Sequence, residues 1–355
     1  MISRPQLLLA PMQDVSGLPL WRCLERRGGP DVYVTEYFRV HRDSHPSKIL
    51  LRSITGLETD KPVLAQMIGN EPEHLVRSAL EIQALSPCAG MDVNLGCPAP
   101  TVCGKQAGGA LLKNPDLIRR IAEGLRPVVT GTLTLKSRIG FDAPGEFERL
   151  LELFATLPID ALTIHGRTVK EKYQSDVHTD QIAEAVASLP FPVFANGSIV
   201  SVETARAMRE KTGAAGLMIG RGAIRNPWLF TQIRASLDET NPAPRIHRDV
   251  YEYLLELTSE ICSEGNFDQE TQIVNRMKKF TNYIACGIAD GALNHELRRA
   301  TTLTGFREIC RSYLDNTDPF SDDPGEDGTI FCGSRSLIAE PVKQKFPLPK
   351  EAIVS

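Results

Sequence analysis

Eight short apolar, β-branched runs spaced along the first two thirds of the chain restrict its fold more than any other feature. They are LLLA (7–10), VYVT (32–35), VLAQM (63–67), MDVNL (91–95), LTLKS (133–137), ALTIH (161–165), VFAN (193–196) and GLMIG (216–220). Between most of them lie amphipathic stretches such as EPEHLVRSALEIQAL, NPDLIRRIAEGL, EFERLLELFATL and SVETARAMREKTG, whose apolar residues recur at helical spacing. Strands alternating with helices build parallel βαβ units, and eight units over about 230 residues match the arithmetic of an α/β (β/α)8 TIM barrel. A doubly wound open sheet is the main competitor. It is disfavoured because no GxGxxG follows the first strand.

The barrel is expected over residues 1–240. After Leu237 the polar, Pro-containing break DETNPAPR reads as a linker, and from 245 to 317 the pattern becomes all helical. Charge is uneven in this second domain. Residues 249–270 hold seven acids and no Lys or Arg, whereas 276–311 hold seven bases against three acids, so the later helices present the candidate binding face. The remainder, 318–355, is acidic at its start, rich in Pro and Gly, and without periodicity, and is expected to be poorly ordered.

The longest apolar runs fall short of the ~18 residues of a membrane span, and MISRPQLLLAPM turns polar too soon for a secretory signal, so a cytoplasmic protein is expected. The eight cysteines form no CxxC pair and no compact framework, which speaks against a zinc site or a disulfide scaffold. A net charge of −4 argues against a generally basic nucleic-acid protein but is silent on a local patch.

In such barrels the working residues lie at the C-terminal ends of the strands. Those ends supply Pro11 and Met12, Glu36, Gln66, Asn94 and Cys97, Lys136 and Arg138, His165 and Arg167, Asn196 and Gly197, and Gly220 and Arg221. Singly, each has a bland reading: a buried inert thiol, a hydrogen-bonded structural histidine, a snorkelling lysine, an Asn-Gly turn. Their convergence on one face argues for a site, since a face serving stability alone has little use for so many polar groups. The glycine-rich loops ANGSI and GLMIGRGAI after the last two strands suit a phosphate group, with Arg221 beside it.

Together these residues resemble the bacterial tRNA-dihydrouridine synthase family, flavin enzymes that reduce uridine in tRNA. The similarity runs through APM (10–12), TE (35–36), Gln66, VNLGCP (93–98), GGALLKNP (108–115), KSRIG (136–140), HGRT (165–168), ANG (195–197), MIGRGA (218–223) and RMKKF (276–280), about residues 5–315 in all. TEYFRV (35–40) looks most like the C-type branch.

The resemblance implies FMN across the barrel mouth and NADPH as reductant. Pro11 and Met12, with Ala10, would line the flavin, and Gln66 and Asn196 would hydrogen-bond it. Gly197, Gly220 and Arg221 would hold its phosphate, with Ser198 in the same set. Lys136 matches a lysine at the pyrimidine edge and His165 a cofactor-site residue. Cys97 matches the general acid that protonates one carbon of the uracil C5–C6 bond; a thiol with a reference pKa near ~8.5 is mostly protonated at neutral pH. The implied partner is tRNA, read at a D-loop uridine such as position 16, with no membrane or metal and the chain acting as a monomer. Asn94 would touch the extruded base, and Arg39, Tyr173, Arg276 and Lys278 match tRNA-contacting positions. Ser198 stands where relatives usually carry an acid. Two rivals remain: a dihydroorotate- or dihydropyrimidine-type dehydrogenase acting on a free base, against which the basic helical domain weighs, and a non-enzymatic tRNA-binding protein on a degenerate barrel.

Overall fold

A computed structural model of the chain describes residues 4–240, 243–265, 267–325, 330–331 and 337. Its strands are β1 (Gln6–Leu9), β2 (Tyr33–Val34), β3 (Phe38–Arg39), β4 (Val63–Ile68), β5 (Gly90–Leu95), β6 (Thr132–Arg138), β7 (Ala161–His165), β8 (Val193–Asn196) and β9 (Gly216–Ile219). Every pairing is parallel, in the order β1-β9-β8-β7-β6-β5-β4-β2. Leu9 N–H donates to Val32 O at 3.1 Å and Asp31 N–H to Leu7 O at 2.7 Å, so the last edge meets the first and the eight principal strands close into the expected TIM barrel. The addition is β3, a two-residue strand that prolongs the β2 side of the rim by pairing with Met67 and Ile68 of β4.

Around the barrel run α1 (Leu18–Glu25), α2 (Lys48–Thr55), α3 (Pro72–Leu85), α4 (Pro100–Cys103), α5 (Pro115–Leu125), α6 (Phe147–Phe154), α7 (Thr179–Ser188), α8 (Val202–Thr212), α9 (Arg221–Arg225) and α10 (Leu229–Leu237). Local chemistry sets their ends. Asn114 Oδ1 accepts from Leu117 N–H ahead of α5 while Pro115 fills the first turn, where a missing N–H costs nothing. Ser201 and Thr204 form a reciprocal cap on α8, and Gly213 ends that helix in the left-handed region at φ +66°.

Alternation along the strands divides the barrel interior unevenly. One part is apolar, built from Leu8, Val32, Val34, Leu64, Phe194 and Met218. The other carries Gln66, Asp92, Asn94, Thr134, Thr163 and His165, all buried, on the adjacent strands β4 to β7.

The later helices are α11 (His247–Ser263), α12 (Glu270–Ile284), α13 (Ala292–Arg299) and α14 (Leu303–Leu314). The acidic run of the sequence acquires a purpose here. Glu256 and Glu260 of α11 face Arg22, Arg26 and Arg27 at the end of α1, with Arg22–Glu260 at 3.2 Å and Arg27–Glu256 at 2.6 Å. Arg27 also stacks over Trp228 and Tyr253, each 5.3 Å from the ring centroid, and the Tyr253 hydroxyl donates to Ile224 O at 3.1 Å.

The expected loss of order from residue 318 does not hold for 318–325. Ile246 and Pro319 form an antiparallel bridge, Phe320 N–H donates to Arg245 O at 2.8 Å, and Phe320 is buried against the Arg225 guanidinium. Arg225, itself buried, donates to Cys286 O at 3.2 Å and Ser321 O at 2.8 Å. Composition missed this strap because its anchors are single aromatic residues among polar ones. Residues 326–329, 332–336 and 338–355 of that segment lie outside the described residues.

Among the described residues no helix is long and apolar enough to cross a membrane, no group of His, Cys, Asp and Glu could hold a metal, and seven cysteines are free thiols.

Candidate functional site

At the C-terminal ends of the strands lies a cavity of about 660 Å³. Of the residues expected at the site, Ala10, Pro11, Met12, Asn94, Cys97, Lys136, His165, Tyr173, Asn196, Gly197, Ser198, Gly220 and Arg221 line it. Parallel register assembles them: Asn94 pairs with Lys136, and Arg138, His165 and Asn196 lie side by side on β6, β7 and β8. Gly197 sits at φ +127° with the His165 ring and Val177 about its Cα, so a side chain there would be strained in backbone and crowded in space.

The wall is cationic. Lys136, Arg138, Lys172 and Arg221 line the cavity, and among the described residues no carboxylate does. Burial, and then Arg138, push Lys136 down to about 8. Its Nζ donates to Asn196 Oδ1 at 3.1 Å, and Asn196 Nδ2 donates to Met218 O at 2.7 Å, which fixes that amide's orientation. Burial together with Arg138, Lys136, Arg167 and Arg221 holds His165 well below its ordinary value. Arg167 Nη1 lies 3.2 Å from His165 Nε2, and a guanidinium can only donate, so Nε2 accepts and the ring is neutral.

Two buried arginines clamp the loops. Arg138 donates from Nε to Gly96 O at 2.9 Å and from Nη1 to Thr168 O and Lys172 O, joining the β5 loop to the β7 loop. Arg167 donates to Ser175 O at 2.7 Å and to Ser198 Oγ at 2.9 Å, so the serine in ANGSI is an acceptor for this guanidinium.

Cys97 is half-buried on the cavity wall. Asn94 Oδ1 accepts from Gly96 N–H at 3.0 Å and Cys97 N–H at 2.9 Å, and Gly109 N–H donates to Cys97 O at 3.0 Å. A Cβ at Gly109 would lie 2.5 Å from Val169 and 3.0 Å from Cys97 O, which explains the paired glycines of GGALLKNP. Tyr37 is one of the lining residues that sequence reasoning passed over. It packs with Cys97 on Ile68, Val102 and Ala107, and burial raises its phenol, with Cys97 adding and Arg39 opposing. The signal was present: Tyr37 and Arg39 are two apart in an extended segment and share a face.

Four of the expected residues lie outside the cavity lining, three of them expected to meet RNA rather than the cofactor. Gln66 is fully buried below the cavity, with Nε2 on Asp92 Oδ2 at 2.7 Å and Oε1 accepting from Asn94 Nδ2 at 2.9 Å. Arg39 reaches Tyr37 and does not line the cavity. Arg276 and Lys278 lie on α12, both half-buried. The Arg276 guanidinium stands by Glu36 and Gly17, with a buried Nε that has no hydrogen-bond partner among the described residues, so it belongs to the seam between α12 and the barrel rim. Asn94 reaches the cavity, but both ends of its amide are engaged within the protein. Arg221 lies over the Tyr173 ring at 4.9 Å and donates to Ile330 O, so the chain's late segment touches the mouth.

The family model for dihydrouridine synthase matches residues 8–317. A tRNA-dihydrouridine(16) synthase of Cupriavidus necator is 32% identical over 73% of this chain and 83% of its own length. A tRNA-dihydrouridine synthase B of Pseudomonas aeruginosa is 36% identical over 71% of this chain and 77% of its own. Among solved structures, histamine dehydrogenase from Rhizobium sp. 4-9 superposes with a TM-score of 0.52 at 13% identity, covering 71% of this chain and 49% of that one, a likeness of fold.

Proposed function

The chain belongs to the dihydrouridine synthase family, and we propose that it reduces uridine to 5,6-dihydrouridine in the D-loop of tRNA, with FMN as cofactor and NADPH as reductant. The observation that carries the reading is a cavity whose described lining is cationic, with no carboxylate and with one thiol, Cys97, among the described residues.

The donor set fits a phosphorylated flavin. Lys136, Arg138 and Arg221 give the cavity the sign that a phosphate and a reduced isoalloxazine require. Gly197 and Gly220 leave room for close approach: a Cβ at Gly220 would already sit 3.2 Å from Met12 Sδ and 3.4 Å from Ala10 Cβ. Pro11, Met12 and Asn196 would hold the ring system, and Gly197, Ser198, Gly220 and Arg221 the phosphate. When bound, the flavin supplies hydride to one carbon of the uracil C5–C6 bond. Cys97 donates its Sγ proton to the other carbon. Lys136 stabilises negative charge at the pyrimidine edge, and neutral His165 offers a hydrogen bond without adding charge. Because a stacked uracil cannot enter such a cavity, the base must be extruded, and Tyr173, 42% exposed at the mouth, offers a stacking face. Arg39, Arg276 and Lys278 would meet the surrounding RNA.

Position 16 rests on TEYFRV and on relatives that carry that number in their names, while relatives named synthase B are as similar. A dihydrouridine map of tRNA from a strain lacking the gene separates the two. The purified protein should absorb near about 450 nm once FMN is added and lose that band under NADPH. Cys97→Ala should keep the NADPH response while dihydrouridine formation falls roughly 10²–10⁴-fold, the usual contribution of a positioned acid. Unchanged turnover removes Cys97 from the chemistry, and absence of flavin binding removes the cofactor.

A further inference from the structure

Beneath the cavity five hydrogen bonds connect one buried carboxylate to the backbone of Cys97. Asp92 Oδ1 accepts from Thr134 Oγ1 at 2.5 Å, and Asp92 Oδ2 from Gln66 Nε2 at 2.7 Å. Gln66 Oε1 accepts from Asn94 Nδ2 at 2.9 Å, and Asn94 Oδ1 from the N–H groups of Gly96 and Cys97 at 3.0 and 2.9 Å. Sheet register makes this possible: Gln66, Asp92 and Thr134 are direct neighbours across β4, β5 and β6, and Asn94 follows Asp92 on the same face.

The two ends of the chain have fixed polarity. An ionised carboxylate only accepts, and a backbone N–H only donates. Between them stand two amides, and each can turn only one way. Reversing Gln66 would set its oxygen against the carboxylate, and reversing Asn94 would set its NH2 against two N–H donors. We propose that Asp92 is a positioning residue of the site: its carboxylate orients the Gln66 and Asn94 amides and thereby holds the Cys97 loop in the conformation that presents the thiol to the cavity.

Burial makes the carboxylate expensive, pushing it up to about 6 in spite of Thr134, Gln66 and the more distant Lys136. The neighbouring part of the barrel interior manages with Leu8, Val34, Leu64, Phe194 and Met218, so stability alone does not call for an acid at this level. A fully satisfied buried network specifies one arrangement where an apolar core would allow several. The catalytic meaning of this relay rests on the role proposed for Cys97. The relay itself does not.

Polarity can be reversed by exchanging the two end groups, and that exchange is the test. Asn94→Asp keeps the acceptor for Gly96 and Cys97 but sets a carboxylate oxygen against Gln66 Oε1. Adding Asp92→Asn lets the Gln66 amide turn over, so that Asn at 92 donates to Gln66 and Gln66 donates to Asp at 94, with all five bonds restored. The readout is the rate of iodoacetamide alkylation at Cys97, resolved from the other thiols by peptide mass spectrometry, with thermal midpoint alongside, in protein free of flavin and RNA. Asn94→Asp should change the Cys97 rate by roughly tenfold and lower the midpoint, Asp92→Asn alone should do less, and the double variant should return close to wild type. If Asn94→Asp fails to fold while the double variant folds, the relay is equally supported. A double variant as altered as Asn94→Asp, or one that also fails to fold, overturns it. Rescue in the double variant while wild type makes no dihydrouridine would leave the relay standing and remove the proposed reaction. Active wild type without rescue does the reverse.

Discussion

The ammonium of Lys136 stands where an apolar side chain would be easier to bury. Its folded value of about 8 lies below the ordinary lysine value of 10.5, so between those pH values the unfolded chain binds more protons than the folded one. Stability contributed by this group therefore rises with pH across that window, and the cost is fully present below pH 8. In the ligand-free protein Lys136→Met should be more stable than wild type at pH 7, by roughly 1–2 kcal/mol, and its melting temperature should rise less between pH 8 and pH 10. A destabilised variant would mean that the hydrogen bond to Asn196 outweighs the burial cost. Lys136, His165, Asn196 and Cys97 were legible in the sequence because each lies within two residues of the C-terminal end of a strand, and strand ends of a barrel converge. Asp92 and Gln66 were harder. Asp92 reads as one polar residue inside a strand, and its work depends on partners 26 and 42 positions away that only sheet register brings beside it.

At the scale of elements, α12 shows the limit of counting charges. The excess of bases over 276–311 pointed to a binding face, yet Arg276 is half-buried beside Glu36, and Lys279 pairs with Asp14 of the rim at 2.9 Å. Both positions therefore join the helix to the barrel rim. Reversing charge at Arg276 and Lys278 should weaken tRNA binding and flatten its dependence on salt by about one unit of log-log slope per lost phosphate contact. Filter binding across a salt series measures this, and an unchanged slope moves the RNA face elsewhere. The acids of α11 carry the same lesson. Seven carboxylates without a base read only as uneven charge, whereas Glu256 and Glu260 are the dock for α1, a pairing between residues more than two hundred positions apart that no local pattern contains.

For the whole molecule, the architecture was legible because a repeating strand–helix alternation has few closed solutions, and β1 to β9 follow it with β3 as the only strand added among the described residues. The strap of residues 318–325 was not, since its hold comes from backbone bonds to Arg225 and Arg245 and from one buried ring, Phe320. Ending the chain at Thr317 should cost about 2–4 kcal/mol, because Phe320 is lost and a buried guanidinium loses a carbonyl partner. Denaturant titration of the truncated protein measures it, and an unchanged midpoint would make the strap an ornament.

The strap also sets an order of events during synthesis. A chain leaves the ribosome from its N-terminus, and its domains fold as they emerge. The barrel strands end at Ile219 and α14 at Leu314, whereas the carbonyls that hold Arg225 and Arg221 belong to Ser321 and Ile330. A nascent chain can therefore close its barrel before the carbonyls that hold Arg225 and Arg221 have been made, so Arg221 at the cavity mouth takes its last partner from a segment synthesised after the barrel.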